Sequence, residues 1–228
     1  MTSEPGLVVS ADGSHTLRCP ISGETYHNHN GAARESDWVF ITTPDLRARL
    51  ASSQVFKILE IGFGTGLNAR LIGAVARKHT VELIYDSFEP HPISNALFLQ
   101  LNHEQWAHDT AHKSAFSQLL RPSNQTEVRI KNTKYTLLQT AFTKNTHLIN
   151  HYDHIVMDAF SPANAPSLWE EHTLQNLYNH LIFGGTLSTY CVAGEIRRRL
   201  SKVGFQVEKH PGPPGKREIL LARKPSKT

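Results

Sequence analysis

Cysteine is nearly absent from this chain. Cys19 and Cys191 lie far apart in 228 residues and fall in no metal-binding spacing. This excludes a cysteine-based metal motif and suits two semi-buried thiols in a reducing compartment. Long apolar runs are also missing, and none approaches the ~20 residues needed to span a bilayer. The opening Met1-Thr2-Ser3-Glu4-Pro5-Gly6 has no basic segment followed by an apolar one, so neither secretion nor a membrane partner is expected. The expected location is therefore cytoplasmic. Repeats, low-complexity tracts and linkers are absent, and the nearest candidate, Pro-Gly-Pro-Pro-Gly at 211–215, is too short. No charge of one sign dominates: 24 Lys+Arg against 20 Asp+Glu leave a net charge of +4 and a pI near 9.1. Such mild basicity permits an anionic partner such as RNA without demanding one. Fourteen histidines add charge at mildly acidic pH. His27, His29, His91, His103, His108 and His112 form no H-E-x-x-H pattern and have no cysteine partner, so no metal is expected.

What the chain does have is an alternation of strand and helix patterns. A hydrophobic share of 39% over 228 residues suits one domain with a full core and a small appendage. Residues 1–54 are loop-rich, with two short strands expected at Val8-Val9 and Thr16-Leu17-Arg18 around Asp12-Gly13. Residues 24–36 read as a polar, aromatic segment unlike a core element. Trp38, Val39, Phe40 and Ile41 are expected to dock it, and Pro44 suits a helix start running to Leu50. From 55 on, strands are expected at 55–61, 81–88, 126–130, 135–139, 153–159, 186–191, 205–210 and 218–223. Helices are expected at 67–78, through 120, at 167–181 and at 194–202. This alternation implies an α/β fold with a mostly parallel, doubly wound sheet. The last two strands join through a short Pro/Gly turn and should form an antiparallel hairpin.

The stretch from Lys57 to Asn68, KILEIGFGTGLN, is the most informative. An apolar strand runs into an acid, then Gly62, Gly64 and Gly66, then a helix. The glycines admit a ligand close to the backbone, and the helix N-terminus favours a nucleotide-like group. The pattern Glu60-x-Gly62-x-Gly64-x-Gly66 differs from a G-x-G-x-x-G dinucleotide fingerprint. The preceding acid points to a cationic cofactor, S-adenosylmethionine, in a Rossmann-like class I methyltransferase arrangement. Glu60 is expected to hold the cofactor's amino-acid or sulfonium end, directly or through water. Glu89 ends the next strand, where a carboxylate can accept two hydrogen bonds from a ribose diol; the alternative is a solvated strand end.

A second constellation runs from Asp153 to Trp169. Asp158 ends a strand at the sheet edge that carries the glycine turn, and Phe160 and Pro162 follow as a stiff wall. An acid beside an aromatic and prolines suits a pocket for a flat base carrying an amine. Asp158 would orient the ammonium and help it lose a proton, since only the neutral amine has a lone pair. The alternative is that Asp158 caps the helix at 167–181 or a turn. Lys216 and Arg217, after the Pro/Gly turn, and the cluster Arg197-Arg198-Arg199 are candidate RNA phosphate contacts or solvated surface.

Taken together, these segments resemble the MnmC-type methyltransferase family over residues 15 to 223. The resemblance rests on Glu24 to Phe40, Ile58 to Asn68, Asp158-Ala159-Phe160-Ser161-Pro162 with Leu168-Trp169, Gly184-Gly185-Thr186-Leu187, and Gly215-Lys216-Arg217-Glu218. It implies methyl transfer from S-adenosylmethionine to the aminomethyl group of 5-aminomethyl-2-thiouridine at the tRNA wobble position. It also implies a stand-alone methyltransferase without the family's usual oxidase domain, so that another enzyme supplies the amine. Matching positions assign Glu60, Gly62, Gly64, Gly66, Asn68 and Glu89 to the cofactor. Asp158 lies nearest the reacting amine, and Tyr26, Glu35 and Phe160 shape the pocket. Residues 1–54 are then an extension contributing to the active site of a methyltransferase domain at 55–228. One departure stands out: where relatives often carry Gly-Asp before an alanine, this chain has Gln139-Thr140-Ala141. A side-chain acid for the adenine amine is therefore missing there, and Gln139 or backbone groups are the candidates to replace it. Two other readings share some of these features. One is an aminopropyltransferase of the polyamine synthase kind, and the other is an RNA-binding scaffold that kept the fold but lost activity.

Overall fold

The apolar run at 55–61 becomes the axis of the molecule. In the computed structural model, which describes residues 4–227, it forms β3 (Val55–Ile61). Before it stand β1 (Gly6–Val9), β2 (His15–Arg18), α1 (Ala32–Asp37) and α2 (Leu46–Ala51). After it come α3 (Leu67–Ala76), β4 (Glu82–Phe88), α4 (Asn95–Gln100), α5 (His103–Ala107) and α6 (Lys113–Ser117). Next are β5 (Gln125–Ile130), β6 (Thr133–Leu138), β7 (Tyr152–Met157), α7 (Glu171–His180) and β8 (Leu181–Thr189). The chain ends with α8 (Gly194–Lys202), β9 (Gln206–Pro211) and β10 (Glu218–Arg223). Among the described residues no helix is long and apolar enough to cross a membrane.

Eight strands form one sheet in the order β5-β6-β4-β3-β7-β8-β10-β9. The five central strands from β6 to β8 run parallel. β10 runs antiparallel to both β8 and β9, as the short Pro/Gly turn requires. The opposite edge carries a second antiparallel hairpin, β5–β6, which the sequence pattern left without a direction. Its turn passes through Lys131 at φ 53°, and a link this short cannot carry a crossover. β8 starts at Leu181, well before the expected 186, because α7 feeds straight into it.

Side chains alternate across β3. Phe56 and Ile58 join the core under α2 and α3, while Leu59 and Ile61 join the core under α7 and α8. Both faces are therefore covered, as a parallel sheet requires. α3 is further held by a buried ion pair from Arg70 to Asp109, at 2.5 Å. The Arg70 guanidinium also lies over the rings of Phe98 and Phe116.

The N-terminal region differs from its expectation in one respect. Residues 24–36 were expected to be unlike a core element, yet they contain α1, with Ala32, Ala33, Glu35 and Ser36 buried. The helix is capped from a distance. The N–H groups of Ala32, Ala33 and Arg34 donate to Ser10 Oγ, Ser14 Oγ and Asp12 Oδ2, all in the β1–β2 hairpin. No signal within the segment itself announces those partners. α1 runs into a π-helical turn at Trp38–Thr42, which pushes the start of α2 to Leu46. Val39, Phe40 and Ile41 dock on the main core as expected, whereas Trp38 stays partly exposed.

Candidate active site

A cavity of ≈ 980 Å³ opens at the carboxyl ends of β3, β4, β6, β7 and β8. This is where an open α/β sheet binds ligands, on either side of the reversal in strand order. Its floor is the glycine turn. Gly62, Gly64 and Gly66 all have positive φ, at 91°, 51° and 73°. A Cβ at Gly62 would sit 2.7 Å from the carbonyl oxygen of Asp158, and one at Gly66 would meet the Phe63 ring at 2.7 Å. Gly64 and Gly62 line the cavity, while Gly66 caps α3 and lies off its wall. The Glu89 carboxylate closes the turn. One oxygen accepts the Gly64 N–H at 3.0 Å and the other accepts the His91 N–H at 3.0 Å. Burial holds its pKa above the ordinary carboxylate range. Glu89 is thus a built part of the cradle and not a solvated strand end.

Glu60 does not reach the cavity wall. It shares the face of Phe56 and Ile58, so its side chain is fully buried beneath α3. Of the two expected modes, directly or through water, this placement gives Glu60 no direct face on the cavity. Instead it accepts from Ser87 Oγ at 2.8 Å and from Asn68 Nδ2 at 3.1 Å. The same Asn68 amide donates to Asp158 Oδ2 at 2.7 Å. Asn68 is itself buried and off the wall, and its two amide hydrogens tie Glu60 to Asp158. Burial pushes Glu60 up to about 8, against which Ser87 and Asn68 pull it down. Burial likewise raises Asp158 to about 8, with the Glu35 charge adding to it and Asn68 opposing it.

Asp158 lies just past β7, and its N–H donates to Ile61 O at 3.0 Å. It does not cap α7, which begins at Glu171 behind Glu170. Around it stand Tyr26 and Phe160, edge to face with ring centroids 5.2 Å apart. The Tyr190 hydroxyl donates to Ala159 O at 2.8 Å. Glu35 and Lys216 complete this side as an ion pair, and the Lys216 ammonium lies 4.1 Å above the Tyr190 ring.

Tyr26, Glu35, Gly62, Gly64, Glu89, Asp158, Phe160 and Lys216 are therefore brought to one cavity. Pro162 and Arg217 are not. The stiff wall is formed by Phe160, Ser161, Ala165, Ser167 and Leu168, because the chain turns at Ser161 and leaves Pro162 outside. Arg217 is exposed on the far side of the turn from Lys216. Arg197 and Arg198 are exposed on α8, while Arg199 donates to Trp169 O at 2.9 Å. Gln139 turns away as well. Its amide donates to Leu119 O at 3.3 Å and Arg121 O at 2.6 Å, so it does not serve this cavity. The wall at that point is the backbone-rich stretch from Ala141 to Asn145.

Tyr190 and the wall beyond Ala141, from Phe142 to Asn145, were missed by sequence reasoning. Both follow strand ends at the same edge, β8 and β6, so the rule that singled out Glu89 would have found them.

Comparison with known proteins agrees with this geometry. The model of a family described as S-adenosyl-L-methionine-dependent methyltransferase matches residues 103–225. The tRNA 5-methylaminomethyl-2-thiouridine biosynthesis bifunctional protein MnmC of Azoarcus sp. is 32% identical over 210 residues, covering 88% of this chain and 33% of that protein. The protein of the same name from Leptospira borgpetersenii is 32% identical over 213 residues, covering 88% of this chain and 32% of that one. The chain thus spans about a third of the length of these relatives. The crystal structure of MNMC2 from Aquifex aeolicus shares the fold, with a TM-score of 0.78 at 23% identity over 99% of this chain and 72% of that chain. With its glycine cradle, its capping carboxylate at Glu89 and the match over 103–225, this chain belongs to the S-adenosyl-L-methionine-dependent methyltransferase family.

Proposed function

We propose that this chain methylates the primary amine of 5-aminomethyl-2-thiouridine at the wobble position of tRNA, giving 5-methylaminomethyl-2-thiouridine. The observation that carries the reading is the acidic, aromatic-walled subsite of Asp158, Glu35, Phe160 and Tyr190 beside the glycine cradle. The names of the MnmC relatives, which place them in 5-methylaminomethyl-2-thiouridine biosynthesis, support the choice of acceptor.

The residues present fit the cofactor. Gly62 and Gly64 leave the floor free of Cβ atoms, and Glu89 keeps lone pairs for a diol beyond the two N–H bonds it accepts. S-adenosylmethionine supplies a methyl group on a sulfonium that departs as a neutral thioether.

The chain's own part is positioning and proton handling. Tyr26 and Phe160 form the wall for a flat base. Asp158, fixed by Asn68, accepts a hydrogen bond from the acceptor ammonium and takes its proton. Burial raises its pKa to about 8, which makes its ionised form a stronger base than an ordinary carboxylate. With the methyl donor bound, the freed nitrogen lone pair would be the nucleophile for its methyl group, and the product would leave as a secondary ammonium. In this reading an amine-generating activity acts first on the tRNA.

The test is mass spectrometry of wobble nucleosides after incubation with S-adenosylmethionine and tRNA bearing aminomethyl-thiouridine. One added methyl on that nucleoside, lost in Asp158→Ala, is the expected result. Cofactor binding without methylation would overturn the choice of acceptor.

A further inference from the structure

Lys216 points inward. The sequence suggested a phosphate contact, yet its ammonium is paired with the buried Glu35 and stacked on Tyr190 within the cavity. Its neighbour Arg217 faces solvent, so the two cations of the turn have parted company.

The turn does not need this ammonium to stay docked. Trp38 Nε1 donates to Pro211 O at 2.8 Å, and Asn28 Nδ2 reaches Pro214 O at 3.5 Å. Gly215 sits so close to Asn30 that a Cβ would fall 2.0 Å from its amide nitrogen. Within the turn, Lys216 N donates to Pro213 O and Gly212 N to Arg217 O. Glu35 is also held independently, because its Oε2 accepts the Asn28 N–H at 2.6 Å. What Lys216 adds is a positive charge at Glu35 Oε1, over an aromatic face fixed by the Tyr190–Ala159 hydrogen bond. An alkylammonium held by a carboxylate and a π face, beside Asp158, has the chemistry of the acceptor itself.

We propose that Glu35 and Tyr190 form the recognition subsite for the acceptor's primary ammonium, and that Lys216 holds this subsite until the acceptor displaces it. The idea rests on the acceptor being an amine, as argued above. Lys216 is then a specificity device. It keeps Glu35 from standing buried and unpaired, and it leaves only when a cation of the same kind takes its place. An acceptor lacking an ammonium, such as unmodified uridine, gives nothing to exchange.

Ethylammonium chloride is the probe. With Lys216→Met, which keeps the apolar stem, ethylammonium binding by calorimetry should be about tenfold tighter than to the intact protein, a difference of ~1.4 kcal/mol. It should also raise the melting temperature of this variant more than sodium chloride at equal ionic strength. Glu35→Gln added to Lys216→Met should abolish both effects. Lys216→Gln serves the same comparison if the Met variant does not fold. Ethylammonium without effect on either Lys216 variant would overturn the proposal. So would equal loss of aminomethyl-bearing and unmodified tRNA binding in Lys216→Met with a shallower salt dependence, since that marks a phosphate contact. The probe involves neither tRNA nor cofactor. Ethylammonium binding without tRNA methylation would therefore sustain the subsite and sink the tRNA reading, and the reverse pattern would do the opposite.

Discussion

The two sides of the cleft are built by different means. The cofactor side is made within one short stretch, from β3 through the glycine turn into α3, and is completed by Glu89 and Asp158 from adjacent strand ends. The proposed acceptor side is a clasp between distant parts of the chain, where Asn28 meets Pro214 across 186 residues of sequence and Trp38 meets Pro211 across 173. One side is a local backbone conformation that the sheet locks in place. The other exists only once both ends of the chain have docked. A substitution on the first should act through backbone geometry and the buried acids. A substitution on the second should act on acceptor choice and the fit of the clasp.

The largest expected effect falls where the two sides meet. Asp158→Ala should lower the methylation rate by ~10²–10⁴-fold, the usual range for a positioned acid or base. Cofactor affinity should change little, which titration with S-adenosylhomocysteine would check. Retained turnover would mean that the acceptor side works without the acid.

Next comes the floor of the cofactor side. Gly62→Ala adds a Cβ 2.7 Å from Asp158 O at φ 91° and should cost ~1–3 kcal/mol of strain. Because the strain falls on the cradle, S-adenosylhomocysteine binding should weaken together with the melting temperature. A lower melting temperature with unchanged affinity would detach the turn from the cofactor.

The buried acid beneath the cradle gives the cofactor side a pH dependence of its own. Burial raises Glu60 from 4.5 to about 8, so the folded state holds a proton that the unfolded chain has already lost. Its contribution is fully present below about pH 4.5 and is lost as the pH rises toward about 8. Glu60→Gln should remove that slope, and denaturant titrations at several pH values would show a smaller stability loss across this window. Identical slopes in both proteins would mean that Glu60 is ionised throughout.

The smallest effect belongs to the rim of the clasp. Trp38→Phe removes one hydrogen bond to Pro211 at a partly exposed site and should cost ~0.5–1.5 kcal/mol. Thermal unfolding would detect it, with cofactor affinity unchanged. A large loss of cofactor affinity would instead show that the two sides are coupled more tightly than their construction suggests.

The legibility of the sequence follows the same division. The apolar run of β3, the glycine spacing and the strand-end acids Glu89 and Asp158 were readable because each depends on neighbours in the chain. The expected strand at 218–223 matches β10 residue for residue, since the Pro/Gly turn punctuates it. α1 was hidden because its caps come from Ser10, Asp12 and Ser14. Pro162 lies off the cavity wall because the path of a loop after its first turn depends on what it packs against. The position of Glu60 before the glycines was readable, but its place was not, since alternation along β3 sends it under α3 and not into the cleft.

By itself, then, the sequence determined the alternating α/β architecture, the cradle at 62–66 and the acids at its edge, because short-range periodicity and backbone conformational preference act among residues a few positions apart. Only the tertiary structure decided that Asn68 joins Glu60 to Asp158, that Gln139 turns away, and that Lys216 turns inward to Glu35 and Tyr190. Those outcomes depend on the directions in which side chains from remote segments meet, and on the cost of leaving a buried charge unpaired, neither of which is written in any single stretch of the chain.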